Sequence, residues 1–442
     1  MIRFIASLAF AAALPLSAQA EDLLQVYRDA RSYDAQYAAA RYALQAGQEK
    51  LPQGKALLLP TLGLSANATE SRLESDSDKP LLSPSFNRNV RSNGYTLNLS
   101  QPIYRKQNFL QYDEAGYQVR QAEAAFGLAA QDLIVRTAQA YFEMLAAQDS
   151  LTLVGAQKAA ISEQLAQAKR NFEVGTATIT DTHEAQARYD LVVAQEIAAQ
   201  NDLESKRRAL QQLTGKEYAA LAPLRTHVKL APPNPNNMQG WVDIAQKQSY
   251  PVQVQEAVSE IASLEVKRNA AGHYPTLDLV ASYGQTDQTA TQFSPIGSTT
   301  TNSSIGLQLA LPLYQGGAIS SREREAAANY EKAKQDLENA RRSAALAARQ
   351  SYLGVINGIA QVGALEQALV SSQSALDSNK LGYEVGVRIN IDVLNAQQQL
   401  FSTRRDLAVA RYNTITTQLK LKAAVGSLRE QDLEEVNLVL TP

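Results

Sequence analysis

The 442-residue chain has no cysteine, only three histidines and one tryptophan, and a formal net charge of −2 from 42 basic and 44 acidic side chains. Without cysteine there is no disulfide framework, so burial or assembly must hold the fold. The lipid-bearing cysteine of a bacterial lipoprotein is missing as well. Near-neutral charge offers no basic surface for nucleic acid. His183, His227 and His273 are scattered, and His183-Glu184 has no second histidine at zinc-protease spacing. No glycine-rich phosphate loop follows a strand. The sequence therefore predicts no enzyme, metal or cofactor. Beyond the first residues it has no continuous apolar 20-mer, so a membrane location would require β-strands.

The first segment is the exception. Arg3 supplies a basic start, 4–16 is a short apolar core, and Ala18-Gln19-Ala20 is a small-x-small cleavage signal before Glu21-Asp22. This reads as a secretory signal peptide over 1–20.

The mature chain repeats itself. Pro60-Thr61-Leu62-Gly63-Leu64 returns as Pro275-Thr276-Leu277-Asp278-Leu279, and Gln101-Pro102-Ile103-Tyr104 as Leu311-Pro312-Leu313-Tyr314. Phe172-Glu173-Val174-Gly175 returns as Tyr383-Glu384-Val385-Gly386, and Leu213-Thr214-Gly215 as Ala424-Val425-Gly426. The offsets are 210 to 215 residues, in one order, which implies two structural repeats, 21–230 and 231–442.

Proline is absent between Pro102 and Pro223 and between Pro312 and Pro442. Since proline breaks helix interiors, these stretches, rich in strong helix formers, predict long helices over about 105–174 and 316–384. Each is followed by a helix, over about 181–215 and 392–425. Tyr352, Val355, Ile359, Val362, Leu365 and Leu369 step by three or four, as in a coiled-coil seam. Gly175 and Gly386 stand where a helix ends, and Asp181-x-x-Glu184 resembles a capping box for the next one. Two further helices fit 22–57 and 239–272, with Pro52 and Pro251 expected to kink or interrupt them. The proline-rich segment 216–238 is an irregular belt.

Period-two alternation marks four strands, over about 58–72, 94–104, 274–287 and 303–314. Long polar loops over 70–93 and 287–302 lie on one side, as in outer-membrane strands, and Tyr104 and Tyr314 sit near strand ends where aromatic girdles lie. Four strands cannot close a barrel, and an open edge in lipid is not tolerated. Two chains would supply eight strands and a filled interior; three would supply twelve and a lumen. A channel favours three. The competing reading is a periplasmic coiled-coil scaffold with soluble hairpins and no pore. A simple diffusion porin leaves the helical stretches without a role.

In this order of elements, LPLYQGG at 311–317 and GYEVGVRINIDVL at 382–394 are the most diagnostic pieces, and nearly the whole mature chain resembles the TolC family of outer-membrane channels. The resemblance implies a membrane α+β fold: a trimeric twelve-stranded transmembrane barrel continuous with a long periplasmic α-helical barrel. It implies an exit channel of tripartite efflux pumps or type I secretion. Its partners would be two further copies, a periplasmic adaptor, an inner-membrane transporter of ABC, RND or MFS type, and outer-membrane lipid. By the same resemblance Asp392 faces the pore at the periplasmic entrance, while Asn395 stands where the family has a second aspartate. The ring charge would then be about −3 and not about −6. As a competing role, Asp392 would cap its helix. Thr180, Asp181, Tyr383 and Arg388 match the family's gate latch, with Arg388–Asp181 as one candidate pair. Gly175 and Gly386 would present the adaptor-docking tips, or merely end their helices. The family's C-terminal tail has no counterpart after Gln431-Asp432-Leu433.

Overall fold

A computed structural model describes residues 21–76, 78, 86–225, 228, 230–289 and 296–441. The signal-peptide segment, the apices of both polar loops and His227 lie outside the described residues. In chain order the elements are α1 (Leu23–Tyr33), α2 (Ala35–Gln48), α3 (Lys50–Ala56), β1 (Thr61–Ser75) and β2 (Phe86–Tyr104). Then come α4 (Lys106–Glu173), α5 (Ile179–Thr214), α6 (Met238–Gln248), α7 (Tyr250–Ala270), β3 (Thr276–Gln288) and β4 (Ser298–Ala310). The series ends with α8 (Ala318–Glu384), α9 (Asn390–Ala424) and α10 (Glu430–Asn437). β1, β2 and β4 reach further into the polar loops than alternation alone suggests. The helix expected over 22–57 is three helices, and that over 239–272 is two followed by a short 3-10 turn. Pro52 and Pro251 fall in the first turns of α3 and α7, where a missing N–H costs nothing.

Two compact units divide the chain: one contains the described residues up to Ala39 with Ala129–Ser249 and the chain from Ala344, the other Ala40–Leu128 and Tyr250–Ser343. The second unit holds one antiparallel sheet in the order β1-β2-β3-β4. Its register sorts the side chains into two faces. Leu62, Leu99, Ala281 and Ile305 stand in one cross-strand row, and Leu64, Leu97 and Tyr283 in another on that face. Gly63, Asn98, Ser282 and Ser304 alternate with them on the other face, beside Ser65, Thr96, Gly284 and Asn302. Among the described residues no layer covers the apolar face: Leu64 is 70% exposed and Ile305 76%. A soluble hairpin pair would bury such a face. At the helical end β2 shifts register between Pro102 and Tyr104, a bulge that lets proline sit in a paired strand. Arg105 follows, and its Nε and Nη2 donate to Asp278 Oδ1 and Oδ2 at 2.8 and 2.6 Å. That fork ties the start of α4 to β3.

Within the same unit Glu114 of α4 is 6% exposed. Its Oε2 accepts no hydrogen bond and lies 3.6 Å from Arg268 Nη1, while Arg268 Nη2 donates to Glu265 at 2.8 Å. Burial pushes the Glu114 carboxyl above its ordinary value; Arg268 opposes this, Glu265 adds to it, and the Gln118 amide opposes it. The folded state thus holds the proton more tightly than the unfolded chain, so stability falls as pH rises through the carboxylate range. Glu114→Gln is expected to raise the thermal unfolding midpoint by a few degrees at pH 8 and to leave it unchanged at pH 4, as read by circular dichroism in detergent.

The first unit has a core of Leu23, Val26 and Tyr27 from α1, Leu133, Tyr141 and Phe142 from α4, Leu210 from α5, Tyr412 and Leu419 from α9, and Leu433 from α10. Phe142 stacks on Tyr412 with ring centroids 5.6 Å apart. The irregular belt wraps this core through specific bonds. Tyr141 donates its hydroxyl to the carbonyls of Ala222 (2.9 Å) and Glu21 (3.2 Å), and Tyr218 donates to Asp29 at 2.8 Å. Tyr352 donates to Asn236 at 2.8 Å. The expected seam on α8 is real: Val355 is fully buried, and Val362 packs with Leu407 and Ala410 of α9, with Leu365 and Leu369 alongside.

Candidate functional site

The α4–α5 and α8–α9 turns are built alike. At the first, Gly175 takes φ 78°, and Thr176 N–H reaches back to the Asn171 carbonyl at 2.8 Å. At the second, Gly386 takes φ 77°, and Val387 N–H reaches the Gly382 carbonyl at 2.9 Å. A left-handed residue ending a helix in this way is a glycine position. The turns then expose apolar side chains: Val174 at 73%, Val385 at 65% and Val387 at 75%.

The capping box of α5 lies one turn earlier than Asp181-x-x-Glu184. Thr178 is the N-cap; its hydroxyl accepts from Asp181 N–H at 3.3 Å, and Asp181 Oδ2 accepts from Thr178 N–H at 2.9 Å. Asp181 is thus the third residue of α5 and closes the box, with its carboxylate engaged locally. Thr180 is exposed beside it. Asp392 is not a cap: Ile389 is the N-cap of α9 and gives no side-chain bond. Asp392 instead pairs with Arg388, Nη1 to Oδ2 at 3.6 Å, both partly exposed. Within one protomer Arg388 therefore points to its own helix and not to Asp181. Tyr383 accepts a hydrogen bond on its hydroxyl from Asn171 Nδ2 at 3.2 Å, linking α8 to α4. Asn395 accepts from Arg188 Nη2 at 2.8 Å, and Gln398 Oε1 from Arg188 Nη1 at 2.5 Å.

Sequence reasoning missed Arg188, Gln164 and Asn390. Asn390 was visible as a polar residue seven positions before Gln397 in the α9 seam pattern, the spacing of equivalent coiled-coil positions. Nothing in the sequence named their partners. His183 and His273 are exposed, and among the described residues no cluster of three or more His, Cys, Asp or Glu side chains could hold a metal.

An uncovered sheet with one apolar and one polar face, feeding long paired helices that end in glycine turns, defines an outer-membrane export channel subunit. The comparisons agree with that class. Residues 26–216 and 241–427 match the outer membrane efflux protein family, and the chain belongs to it. It is 34% identical to the outer membrane protein TolC of Vibrio cholerae, over 95% of this chain and 93% of that one. It is 33% identical to the alkaline protease secretion protein AprF of Pseudomonas aeruginosa, over 97% of this chain and 89% of the relative. Among solved structures, the outer membrane protein VceC of Vibrio cholerae superposes with a TM-score of 0.77 at 21% identity, covering 91% and 96% of the two chains. The CmeC outer membrane channel of Campylobacter jejuni gives 0.79 at 17% identity, covering 95% and 90%. The protein is located in the outer membrane, with its helical part in the periplasm.

Proposed function

We propose that three copies of this chain close a twelve-stranded barrel and a helical tunnel, and that the assembly is a passive exit duct opened by a periplasmic adaptor and an inner-membrane transporter. The observation that carries this is the sheet. β1 and β4 each have one unpaired edge, their described side chains are exposed on both faces, and the two faces differ in polarity. In lipid such edges must pair with those of neighbouring copies. Three copies satisfy every edge and leave a polar-lined lumen. Relatives named for efflux and for protease secretion support an adaptor and a transporter as partners. In this reading the energy for transport comes from the partners.

The gate in this reading lies at the α8–α9 turn. Asp392, once per copy, forms a carboxylate ring that attracts cations in a narrow entrance. Arg388 partly neutralises it across 3.6 Å, an exposed pair worth about 0–1 kcal/mol. The test is conductance of the purified trimer in a planar bilayer. Wild type is expected to give a small, weakly cation-selective current, and Asp392→Ala to lose that selectivity. Arg388→Ala is expected to raise both conductance and cation preference. A selectivity identical in wild type and Asp392→Ala would remove Asp392 from the entrance and leave the channel itself standing.

A further inference from the structure

The first turns of α9 are fastened to α4 and α5 by bonds made wholly inside one chain. Asn390, the first residue of α9, is 1% exposed. Its Oδ1 accepts from Gln164 Nε2 of α4 at 2.6 Å, and its Nδ2 donates to the Asp181 carbonyl of α5 at 3.3 Å. Gln164 is itself 8% exposed. One amide thus uses its acceptor on one helix and its donor on another. A turn further along α9, the two Nη groups of Arg188 on α5 divide between Gln398 and Asn395. This is the forked use of a guanidinium that lysine cannot reproduce.

The buried face of α9 near the turn mixes two chemistries: Val393, Leu394 and Leu400 fill it, and the amides Asn390 and Gln397 lie among them. Buried amides in a seam weaken it and select one alignment, because their hydrogen bonds exist only in that alignment. Here the selection is incomplete. Gln397 is 3% exposed, and among the described residues of one chain its Oε1 and the Thr182 hydroxyl of α5 meet no hydrogen-bond partner. An unpaired buried acceptor counts against the alignment that leaves it so. The bonds of Asn390 define the register of α9 against α4 and α5. Arg388–Asp392 cannot serve this purpose, since both residues belong to one helix start.

We propose that Asn390 and Arg188 are gate-positioning residues: an amide clasp, Gln164–Asn390–Asp181 carbonyl, and a guanidinium fork, Arg188 on Asn395 and Gln398, help hold α9 in the closed alignment by bonds within each protomer. The proposal rests on the reading of the α8–α9 turn as the channel gate. It assigns Asn395 a use of its own: where a carboxylate would add charge to the entrance, the amide receives the fork.

The test is macroscopic conductance of detergent-purified trimers in planar bilayers, with trimer content checked on the same samples. Asn390→Ala and Arg188→Leu are each expected to raise conductance roughly three- to tenfold by shifting the closed–open population. Arg188→Lys should fall between wild type and Arg188→Leu. Gln164→Ala combined with Asn390→Ala should open the channel no further than Asn390→Ala alone, the signature of one shared bond. Asn390→Leu keeps the seam filled, so a folded trimer remains measurable should the alanine variant fail to assemble, and the same rise is expected. Wild-type conductance in Asn390→Leu and Arg188→Leu, with selectivity lost in Asp392→Ala, overturns the clasp and leaves the gate where it is. Unchanged conductance in all of these and in Asp392→Ala overturns the gate reading and the clasp together.

Discussion

Replacing Gly386 with leucine is expected to abolish export while trimers still assemble. At φ 77° a side chain costs about 1–2 kcal/mol, which is small against the stability of a closed barrel. Space is not the obstacle, since a Cβ built on Gly386 meets nothing within 4 Å. What the leucine disturbs is the outer surface of the turn, where Val385, Val387 and Ile389 already present apolar groups to solvent. Exposed apolar patches of this kind mark contact sites. Gly175, at φ 78° with equally open surroundings and Val174 and Ile179 beside it, should behave in the same way. The measurement pairs an export assay with heat-stable trimer on gels and cross-linking to the adaptor. Loss of export and of cross-linking with intact trimer supports docking, whereas loss of the trimer returns both glycines to the role of ending a helix. Gly426 provides the contrast. It has φ 79° too, but its Cβ would stand 2.5 Å from the Gln248 carbonyl oxygen, so Gly426→Leu is expected to fail in folding.

Asp34→Ala should cost about 3 kcal/mol of stability in the unit that contains the belt. Asp34 joins α1 to α2 and is 8% exposed. Its Oδ1 accepts the Tyr37 N–H at 2.6 Å, satisfying the start of α2, and both oxygens receive Arg136, at 3.0 and 3.2 Å. Burial alone would raise the carboxyl's pKa, but the Arg136 fork and the Tyr37 N–H together outweigh it and hold the group below its ordinary value of 3.8. The sign follows from linkage: the unfolded chain takes up the proton first as pH falls. The stabilisation is complete above the ordinary carboxylate value and is lost as pH drops through the depressed one. The deficit of Asp34→Ala relative to wild type should therefore be full at pH 7 and shrink below pH 4. Arg136 keeps Asp132 at 2.6 Å, so the variant leaves no wholly unpaired guanidinium, which bounds the loss. Equal unfolding midpoints at pH 7 would show that Asp34 contributes nothing net.

The α4–α5 and α8–α9 turns show how far local patterns reach. Gly175 and Gly386 were legible because a helix of such length ends at a residue that tolerates positive φ, and glycine does so without strain. The capping box was displaced by a turn because Thr178, Asp181 and Glu184 all have capping chemistry, and only the path of the chain after Gly175 selects among them. Arg388 has a carboxylate at i+4 on its own helix start and another across the turn. Both satisfy a sequence pattern, and the structure shows the local one taken within the chain. Arg188 and Asn390 were missed for a related reason. A long polar side chain on a helix can reach any of several neighbours, and its choice depends on how two helices are aligned along their axes.

The sequence by itself determined the elements and their kind. Two proline-free stretches made the long helices, period-two alternation made the strands, and repeated motifs made the two halves, because each follows from sterics and polarity over a few residues. The open sheet with unlike faces was likewise contained in that alternation, and so was the need for further copies. Tertiary structure alone decided which polar groups meet. The belt's bonds to Asp29, Tyr141 and Tyr352, the seating of Asp34 on Arg136, and the clasp of Asn390 between α4 and α5 join residues far apart in the chain. Such pairs are fixed by register between packed elements, which a one-residue slide would change while leaving every local pattern intact.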